Sequence, residues 1–290
     1  MTAKEVWTIS KLLKWTEEYF GKAQLDSPRL DAEVLLSHVL QKERIYLYVH
    51  FDQPLEDDEL ATYKQFIRRR VNHEPVAYIV GHKEFMGLDF TVTPATLIPR
   101  PDTEILVEAA LQRLPMGKTQ EGVIADIGTG SGAICLSLLK YAAQLKAVTV
   151  DISPEALAVA KINAEALAVA DRVEFRQGDL LAPLQGEKFQ AIISNPPYIP
   201  EKDIPTLDSD VKDYEPIGAL VGGQDGFDFY RPLVEQAAEL LQDQGFLALE
   251  AGIYQAQELK AMAEGLPQWG KVELIKDLAG IERVVICWKA

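Results

Sequence analysis

The sequence predicts an α/β protein with a doubly wound, mostly parallel sheet and an antiparallel last strand, preceded by a small all-α domain. Three observations predict this fold. Residues 1–75 show apolar residues at helical spacing. From residue 123 onward, short apolar runs alternate with helical segments, as in sheets whose parallel strands are joined by helices. The last two runs, 272–276 and 283–288, are too close for a helical crossover and are predicted to pair antiparallel.

The N-terminal domain, residues 1–75, is predicted to contain four helices and to serve in recognition of a substrate. Ser27-Pro28 opens the second helix, and Asp31 and Glu33 place negative charge in its first turn, where the helix dipole favours it. The basic run 68–70, near the end of the fourth helix, is interpreted as a solvated helix face.

Residues 76–99 are predicted to form a β-hairpin linker between the domains. Residues 78–81 and 85–92 alternate or run apolar around glycines, which is typical of hairpin strands. The chain after this hairpin carries one cation, Arg100, before an acidic helical turn. Arg100 is therefore expected either to pair with that turn or to approach a bound ligand.

The second domain, residues 100–290, is predicted to begin with a helix that starts at Asp102 or Thr103 and runs to Leu114. Its strands are predicted at 123–127, 148–151, 173–176, 189–193, 245–250, 272–276 and 283–288, and the helices between them at 133–142, 154–166, 233–242 and 254–263.

The distinctive residues of this domain fall at the carboxyl ends of predicted strands. They are the glycine loop (residues 128–132), Asp151, Asp179-Leu180 and Asn195. Ligands of doubly wound sheets bind outside these strand ends, at the point where the strand order reverses. The coincidence predicts one binding site.

The sequence Asn-Pro-Pro-Tyr at residues 195–198, here called the corner, is predicted to be a rigid loop that grips an amide. Two prolines cannot continue the preceding strand, and a residue before proline is pushed toward extended geometry. The Asn195 side-chain oxygen and the Pro196 carbonyl are then acceptors for a planar NH2 group, with the Tyr198 ring on its flat face. A tight loop in which Asn195 caps a turn is the structural alternative.

The glycine loop fits two cofactors. Gly128-x-Gly130-x-x-Ala133, with Asp151 placed to hold a ribose, matches the dinucleotide fingerprint, so a nicotinamide dehydrogenase is one alternative. A sulfonium cofactor is the other, because the acids Asp126, Asp151 and Asp179 favour positive charge. The corner favours the sulfonium, since hydride transfer needs no amide-gripping loop; a binding protein without catalysis is the third alternative.

Charge and composition exclude other classes of protein. The net charge is −15, and residues 1–75 hold only 13 of the 44 acidic residues, so the second domain is strongly acidic and repels a phosphate backbone. No apolar run reaches the length of a membrane span, and no signal peptide is expected. Cys135 and Cys287 lie in apolar segments and are predicted to be core residues, not metal ligands. We therefore expect a cytoplasmic, monomeric protein with no metal, membrane or direct nucleic-acid partner.

Five motifs together resemble one family along essentially the whole chain. They are Arg-Leu-Asp-Ala-Glu (29–33), Leu-Ile-Pro-Arg-Pro-Asp-Thr-Glu (97–104), the Asp-x-Gly-x-Gly-x-Gly run (126–132), the corner (195–198), and Ala-Leu-Val-Gly-Gly-Gln-Asp-Gly (219–226) followed by Tyr230-Arg231. The chain resembles the protein-(glutamine-N5) methyltransferases of the HemK/PrmC type, which modify peptide chain release factors.

The resemblance implies a class I, Rossmann-like methyltransferase fold and transfer of a methyl group from S-adenosyl-L-methionine to the glutamine amide nitrogen of a release factor's Gly-Gly-Gln segment. The implied cofactor-binding residues are Gly128, Thr129, Gly130, Ser131, Gly132, Asp151, Asp179, Leu180 and Asn195; the implied catalytic residues are Asn195, Pro196 and Tyr198; the implied substrate-binding residues are those three, Pro197 and Arg100. Some relatives carry an aromatic residue where this chain has Leu180. The Gly-Gly-Gln at 222–224 is expected to be a turn. An adenine-N6 nucleic-acid methyltransferase, which shares the corner, is the alternative function.

Overall fold

A computed structural model describes residues 6–114 and 122–290, and the chain divides into two compact units. The first unit ends at Gly81 and also takes in Asp208–Tyr214; the second comprises His82–Leu207 and Glu215–Ala290. The first five residues of the predicted helical domain lie outside the described residues. The segment Asp208–Tyr214 joins the first unit because, for example, the Tyr214 hydroxyl donates to the Asn72 carbonyl oxygen at 2.6 Å.

The chain begins with helices and continues with strands and helices that mostly alternate. The helices are α1 (Ile9–Lys22), α2 (Pro28–Leu40), α3 (Arg44–Val49), α4 (Asp57–Val71), α5 (Val76–Val80), α6 (Pro101–Arg113), α7 (Ala133–Tyr141), α8 (Pro154–Ala166), α9 (Ser209–Lys212), α10 (Tyr230–Gln236) and α11 (Ala256–Glu264). The strands are β1 (His82–Phe85), β2 (Leu88–Thr91), β3 (Gly122–Ile127), β4 (Leu145–Asp151), β5 (Val173–Gln177), β6 (Phe189–Ser194), β7 (Leu241–Glu250), β8 (Trp269–Lys276) and β9 (Glu282–Lys289).

Asp31 and Glu33, which lie near the N-terminus of α2, also form ion pairs within the first unit. Glu33, whose side chain is 1% exposed, accepts hydrogen bonds from Arg29, Arg44 and Tyr48. These donors outweigh burial and lower the pKa of Glu33. The Asp31 carboxylate accepts from Arg70 Nε at 2.7 Å, yet burial still raises the pKa of Asp31.

The interpretation of residues 68–70 as a solvated face is wrong for Arg70, whereas the Arg69 side chain is 41% exposed but is also held by ion pairs and hydrogen bonds. Arg70 is 7% exposed and forms the ion pair with Asp31. Arg69 binds both Glu74 oxygens and donates to the carbonyl oxygens of Tyr78 and Ile79. The sequence could not show this, because the partners come from elements that meet α4 only after folding.

The prediction of a β-hairpin linker is wrong for residues 76–80 and is confirmed for residues 82–91. Val76–Val80 is the helix α5, which follows Pro75 and ends at Gly81 with φ of 83°. The hairpin is confined to β1 and β2, paired from His82 with Thr91 to Phe85 with Leu88. A short apolar run has no periodicity that separates a strand from a buried helical turn, which explains the error.

The seven-stranded sheet has the order β5-β4-β3-β6-β7-β9-β8. The first five strands are parallel, and β9 is antiparallel to both β7 and β8, which confirms the predicted fold class. Because β4 and β5 lie on one side of β3 and β6 on the other, the strand order reverses between β3 and β6. Ile127 pairs with Ser194 there, so the glycine loop and the corner leave the sheet side by side.

The helix predicted at 233–242 ends early. α10 stops at Gln236, a short 3-10 helix covers Ala237–Leu240, and β7 begins at Leu241 opposite Phe189 of β6. The apolar residues after Gln236 suit a helix and a buried strand equally, so pairing with β6 decides between them.

Both faces of the sheet are buried, as expected when helices cover a parallel sheet on each side. On β3 and β6, Ile124, Ala191 and Ile193 pack in the core with α6 and α7. Their neighbours, including Ile127 and Ile192, pack on the opposite face with α10 and α11. The central strands are therefore fixed on two sides, and the loops at their carboxyl ends start from rigid positions.

Candidate active site

The glycine loop between β3 and α7 is shaped by left-handed backbone. Gly128, Gly130 and Gly132 have φ of 81°, 53° and 82°, where residues with a Cβ are strained. Gly128 and Gly130 face the cavity described below. Gly132 does not; a Cβ there would lie 2.7 Å from the Leu136 Cδ1 atom, so this glycine permits α7 to pack closely.

Four of the five N–H groups of the glycine loop are engaged by the protein. Gly128 and Thr129 donate to the Val150 carbonyl oxygen, and Gly132 donates to Thr129. Gly130 N–H donates to Asp151 Oδ2 at 2.8 Å. A pyrophosphate requires uncompensated N–H donors. The described donors of this loop therefore fit a dinucleotide poorly.

Asp151 ends β4 and connects the loop to the cavity wall. Its second oxygen accepts from the Ser153 N–H at 2.9 Å, and its carboxylate lines the cavity. A carboxylate has about four acceptor sites, so two remain for ligand hydroxyls. This is the position expected of a ribose-binding acid.

Asp126 does not belong to the cavity, contrary to its sequence interpretation as an acid near a sulfonium. It is fully buried in β3, where Thr149 Oγ1 donates to Oδ2 at 3.0 Å and Oδ1 has no partner. Burial raises the pKa of Asp126 to about 7. The strand alternation that places Asp126 inward is visible only once the helices on both faces are known.

The corner follows β6 and adjoins the glycine loop. A Cβ at Gly128 would lie 3.9 Å from the Asn195 carbonyl oxygen, and the Asn195 side chain lines the same cavity as the loop. Asn195 Nδ2 donates to Thr103 Oγ1 at 3.2 Å. The amide thus points neither into the core nor away from the glycine loop.

The segment 219–226, in which residues 222–224 are predicted to form a turn, packs against the corner. The Ile199 N–H donates to the Leu220 carbonyl at 3.0 Å, and the Gly222 N–H donates back to Ile199 at 2.9 Å. A Cβ at Gly222 would lie 2.7 Å from Tyr198 Cα and 2.8 Å from the Pro197 carbonyl oxygen. Glycine is required there because backbone packs directly on backbone.

Tyr198 occupies a different position from the one the sequence predicted. It is not among the described residues that line the cavity; its ring lies against Gly252, where a Cβ would be 2.9 Å from Cδ2. Gln255 Nε2 donates to its carbonyl oxygen at 3.0 Å. Burial and the nearby Glu250 charge raise the pKa of the Tyr198 phenol. Tyr198 therefore anchors the corner to the segment between β7 and α11.

The cavity at these strand ends has a volume of about 550 Å³, within the usual range for small-ligand sites. It brings together most of the predicted site residues, namely Arg100, Gly128, Thr129, Gly130, Ser131, Asp151, Asp179, Leu180, Asn195, Pro196 and Pro197. Leu180, with φ of 45°, contributes an aliphatic wall. A second cavity of about 630 Å³ lies between α6 and the loop after β8, and none of the predicted site residues lines it.

The charge of the cavity wall suits a cation. Asp151, Glu155 and Asp179 line it, and Arg100 is the one basic residue among its described lining. The Arg100 guanidinium pairs with Glu215, which also accepts from the Ile98 N–H. The positive charge of Arg100 is therefore compensated, and a sulfonium group fits this wall better than a pyrophosphate does.

Sequence reasoning missed several residues at or near the cavity, among them Thr103, Glu250 and Phe229. Thr103 was treated only as a helix start, yet its hydroxyl holds Asn195. Glu250, at the end of β7, is buried, and burial raises the pKa of its carboxyl to about 7. Phe229 lines the cavity from the loop before α10. Glu250 ends a predicted strand, and this position could have identified it from the sequence. No pattern in the sequence indicated a role for Phe229.

Within residues 6–114 and 122–290, no cluster of three or more His, Cys, Asp or Glu side chains is arranged to hold a metal ion. Both cysteines are free and buried. None of the described helices is long and apolar enough to cross a membrane.

Comparisons with known proteins agree with this architecture. A family model described as the PrmC N-terminal domain matches residues 11–81, and one described as the methyltransferase small domain matches residues 102–207. A methyltransferase structure from Pyrococcus furiosus is similar in fold, with a TM-score of 0.53 at 20% identity, covering 79% of this chain and 99% of that chain.

Two relatives match over nearly their full length. The release factor glutamine methyltransferase of Geobacter sulfurreducens is 44% identical over 288 residues, which are 98% of this chain and 98% of that protein. The protein of the same name from Clostridium acetobutylicum is 46% identical over 258 residues, which are 88% of this chain and 90% of that protein. The folds of the two units, the glycine loop, the corner and these sequence identities all agree. The chain therefore belongs to the release factor glutamine methyltransferase family.

Proposed function

We propose that this protein transfers a methyl group from S-adenosyl-L-methionine to the side-chain amide nitrogen of the glutamine in the Gly-Gly-Gln segment of peptide chain release factors. The proposal depends on one observation: residues of the glycine loop and of the corner line the same cavity, at the ends of the paired strands β3 and β6. The printed name of the full-length relatives supports the choice of substrate.

S-adenosyl-L-methionine supplies an electrophilic methyl group carried on a positively charged sulfur. Asp151 has free acceptor sites for the ribose hydroxyls, and Gly128 and Gly130 let the backbone approach the ligand without a Cβ. Asp179 and Leu180 form the wall for the adenine, where Leu180 offers apolar contact in place of aromatic stacking.

An amide nitrogen is a weak nucleophile, because its lone pair is delocalised into the carbonyl. Two acceptors on its N–H groups return electron density to nitrogen and fix its direction. The Asn195 oxygen and the Pro196 carbonyl are the proposed acceptors. Held in advance by the stiff corner, they act as preorganised dipoles and align the nitrogen at a near-attack distance of about 3–3.5 Å. Tyr198 contributes by anchoring the corner, and Pro197 by stiffening it.

The helical unit is the proposed recognition domain for the release factor. A glutamine that belongs to a folded protein needs a docking surface beyond the cavity, and the first unit offers exposed apolar side chains on and after α3, among them Ile45, Val49 and Phe51. A protein acting on release factors belongs in the cytoplasm, and a monomer suffices for this chemistry.

The function is tested by incubating the protein with methyl-labelled cofactor and, separately, a release factor, DNA and RNA. Label is expected on the release factor alone, and it should disappear when the glutamine of its Gly-Gly-Gln segment is replaced by alanine. Label on adenine in DNA or RNA would instead establish the adenine-N6 alternative.

The cofactor site is tested by Asp151→Ala. Loss of a charged acceptor for the ribose hydroxyls is expected to weaken S-adenosyl-L-methionine binding by roughly 1.5–3 kcal/mol, measured by calorimetry. Glu155→Ala is the matched comparison, because Glu155 lines the cavity but accepts its hydrogen bond from Ser153 and not from the glycine loop; losing its charge is expected to weaken binding less than Asp151→Ala does. An unchanged affinity in Asp151→Ala would contradict the proposed ribose contact.

A further inference from the structure

The glycine loop has one contact that the neighbouring strand β4 does not supply. Asn163 lies in α8 and is 0% exposed. Its Nδ2 donates to the Ser131 carbonyl oxygen at 2.8 Å and to the Thr91 carbonyl oxygen at 3.0 Å, and its Oδ1 accepts from the Thr91 N–H at 2.8 Å. One buried side chain therefore joins the glycine loop to β2 of the hairpin.

The partners of this amide determine which way it faces. A backbone N–H only donates and a backbone carbonyl only accepts, so Oδ1 faces the Thr91 N–H and Nδ2 faces the two carbonyls. Both hydrogens of the NH2 group are then in use. Aspartate has the same shape but no donor when ionised, and leucine has neither donor nor acceptor, so this position requires the amide of asparagine.

On the hairpin side, the amide takes the place of a further strand. In an antiparallel ladder, one residue exchanges both an N–H and a C=O bond with the residue opposite it, and Thr91 exchanges both with Asn163. The hairpin itself is anchored, because Phe85 and Phe90 are 1% and 0% exposed and pack in the core that includes α7. The amide is therefore attached to a fixed point.

On the loop side, the amide fixes the peptide group between Ser131 and Gly132. The carbonyl of this group accepts from Asn163, and its N–H, that of Gly132, donates to the Thr129 carbonyl oxygen at 2.8 Å. The group is therefore held at both ends. Ser131 lines the cavity, and its own N–H is the one of the five in the glycine loop that no described protein atom engages. Asn163 thus constrains the residue that offers the remaining donor of the loop to a ligand.

We propose that Asn163 is a positioning residue for the cofactor, which fastens the glycine loop to β2 and so makes the hairpin part of the support of the cofactor site. The inference rests on the proposed function, since S-adenosyl-L-methionine is the ligand that the loop receives. Neither Asn163 nor the hairpin is among the described residues that line the cavity. Asn163 acts through Ser131, away from the reacting atoms, so its loss changes the affinity for the cofactor and not the chemical step.

The test measures calorimetric binding of S-adenosyl-L-methionine to Asn163→Ala and Asn163→Leu. Alanine removes the amide and leaves space, and leucine removes it and keeps a branched side chain, so agreement between them separates lost hydrogen bonds from altered packing. Each is expected to raise the dissociation constant about 5- to 10-fold, the size of one ordinary hydrogen bond. Both are titrated at a temperature at which circular dichroism shows them folded.

Val159→Ala is the matched control. It also removes buried atoms from α8, at a residue that is not among the described lining of the cavity, and it should leave the dissociation constant unchanged. With saturating cofactor, kcat of Asn163→Ala on the release factor should stay within about 2-fold of wild type, as when an interaction made equally in the ground and transition states is removed.

The role of the hairpin is tested with Phe90→Leu, alone and combined with Asn163→Ala. The smaller side chain loosens β2, and this is expected to weaken cofactor binding only where Asn163 transmits it. Phe90→Leu should therefore raise the dissociation constant about 2- to 5-fold in the wild-type background and have little further effect in Asn163→Ala, the non-additivity of residues that act through one network.

The outcomes distinguish this inference from the proposed function. A wild type that does not bind S-adenosyl-L-methionine overturns both. A wild type that binds it but methylates no release factor overturns the proposed substrate, and the affinities of the variants still decide the role of Asn163. Wild-type affinity in Asn163→Ala, or an equal loss in Val159→Ala, overturns the positioning role alone. Additive effects of Phe90→Leu and Asn163→Ala overturn the contribution of the hairpin.

Discussion

The glycine loop and the corner leave neighbouring strands at the same edge of the sheet, yet opposite constraints shape them. The glycine loop depends on backbone freedom, since three of its residues have positive φ. The corner depends on backbone restriction, since the rings of Pro196 and Pro197 fix φ and remove two N–H donors. The cofactor needs a surface that the backbone can approach closely; the reacting amide needs acceptors that do not move.

The two loops also differ in what holds them. The glycine loop is held by its neighbouring strand, through the Val150 carbonyl and the Asp151 carboxylate. The corner is held by Thr103 and Gln255, whose partners in the corner lie 92 and 57 residues away in the chain. A loop with local support can be recognised from its own sequence. The support of the corner appears only in the folded protein.

The largest expected effect comes from removing the acceptor at the corner. Asn195→Ala should lower kcat about 100- to 1,000-fold, as loss of one preorganised polar group does in other enzymes. Cofactor affinity, measured by calorimetry, should fall only modestly, because the glycine loop and Asp151 are intact. Near-normal turnover of Asn195→Ala would contradict the assignment of the reacting amide to the corner.

A buried carboxyl lies beneath each loop, Asp126 under the glycine loop and Glu250 under the corner. Burial raises the pKa of each to about 7, from ordinary values of 3.8 and 4.5. Between these ordinary values and pH 7, the folded protein holds protons that the unfolded chain releases. The free energy of unfolding should therefore fall as the pH rises from about 5 to 7, by up to about 3 kcal/mol for each group.

Urea unfolding of the wild type, Asp126→Asn and Glu250→Gln at pH 5 and pH 7 measures this dependence. Each variant should lose the contribution of its own carboxyl and show a smaller difference between the two pH values. If the wild type is equally stable at both, neither carboxyl is protonated by burial as described.

The support of the corner is tested by Gly222→Ala. The new Cβ overlaps the backbone of Tyr198 and Pro197, so the corner must shift. We expect a loss of about 1–3 kcal/mol in the free energy of unfolding and a roughly 10-fold drop in kcat with little change in cofactor affinity. Gly21→Ala in α1 is the control, since a Cβ there meets nothing within 4 Å. Equal behaviour of the two variants would show that segment 219–226 does not position the corner.

The contrast between the loops explains what the sequence could predict. Strand alternation, the glycines and the Asn-Pro-Pro-Tyr sequence are local signals, and they predicted the sheet, its antiparallel end and eleven of the residues that line the cavity. Errors arose where tertiary partners decide. Val76–Val80 is a helix and Leu241 starts a strand because of what each packs against. The role of Thr103 depends on Asn195, 92 residues later in the chain, and no local pattern contains such a pair.

The smallest effects should separate the two constraints directly. Gly130→Ala adds a Cβ in open space at φ of 53°, so its cost is backbone strain alone, about 1–2 kcal/mol. Pro197→Ala restores backbone freedom to the unfolded chain and should cost about 0.4–1 kcal/mol. Gly130→Ala should raise the dissociation constant of the cofactor at nearly constant kcat. Pro197→Ala should lower kcat a few-fold at constant cofactor affinity. If both variants changed the same kinetic quantity, the two loops would act as one element, and the division between a cofactor loop that depends on glycine and a catalytic corner that depends on proline would be wrong.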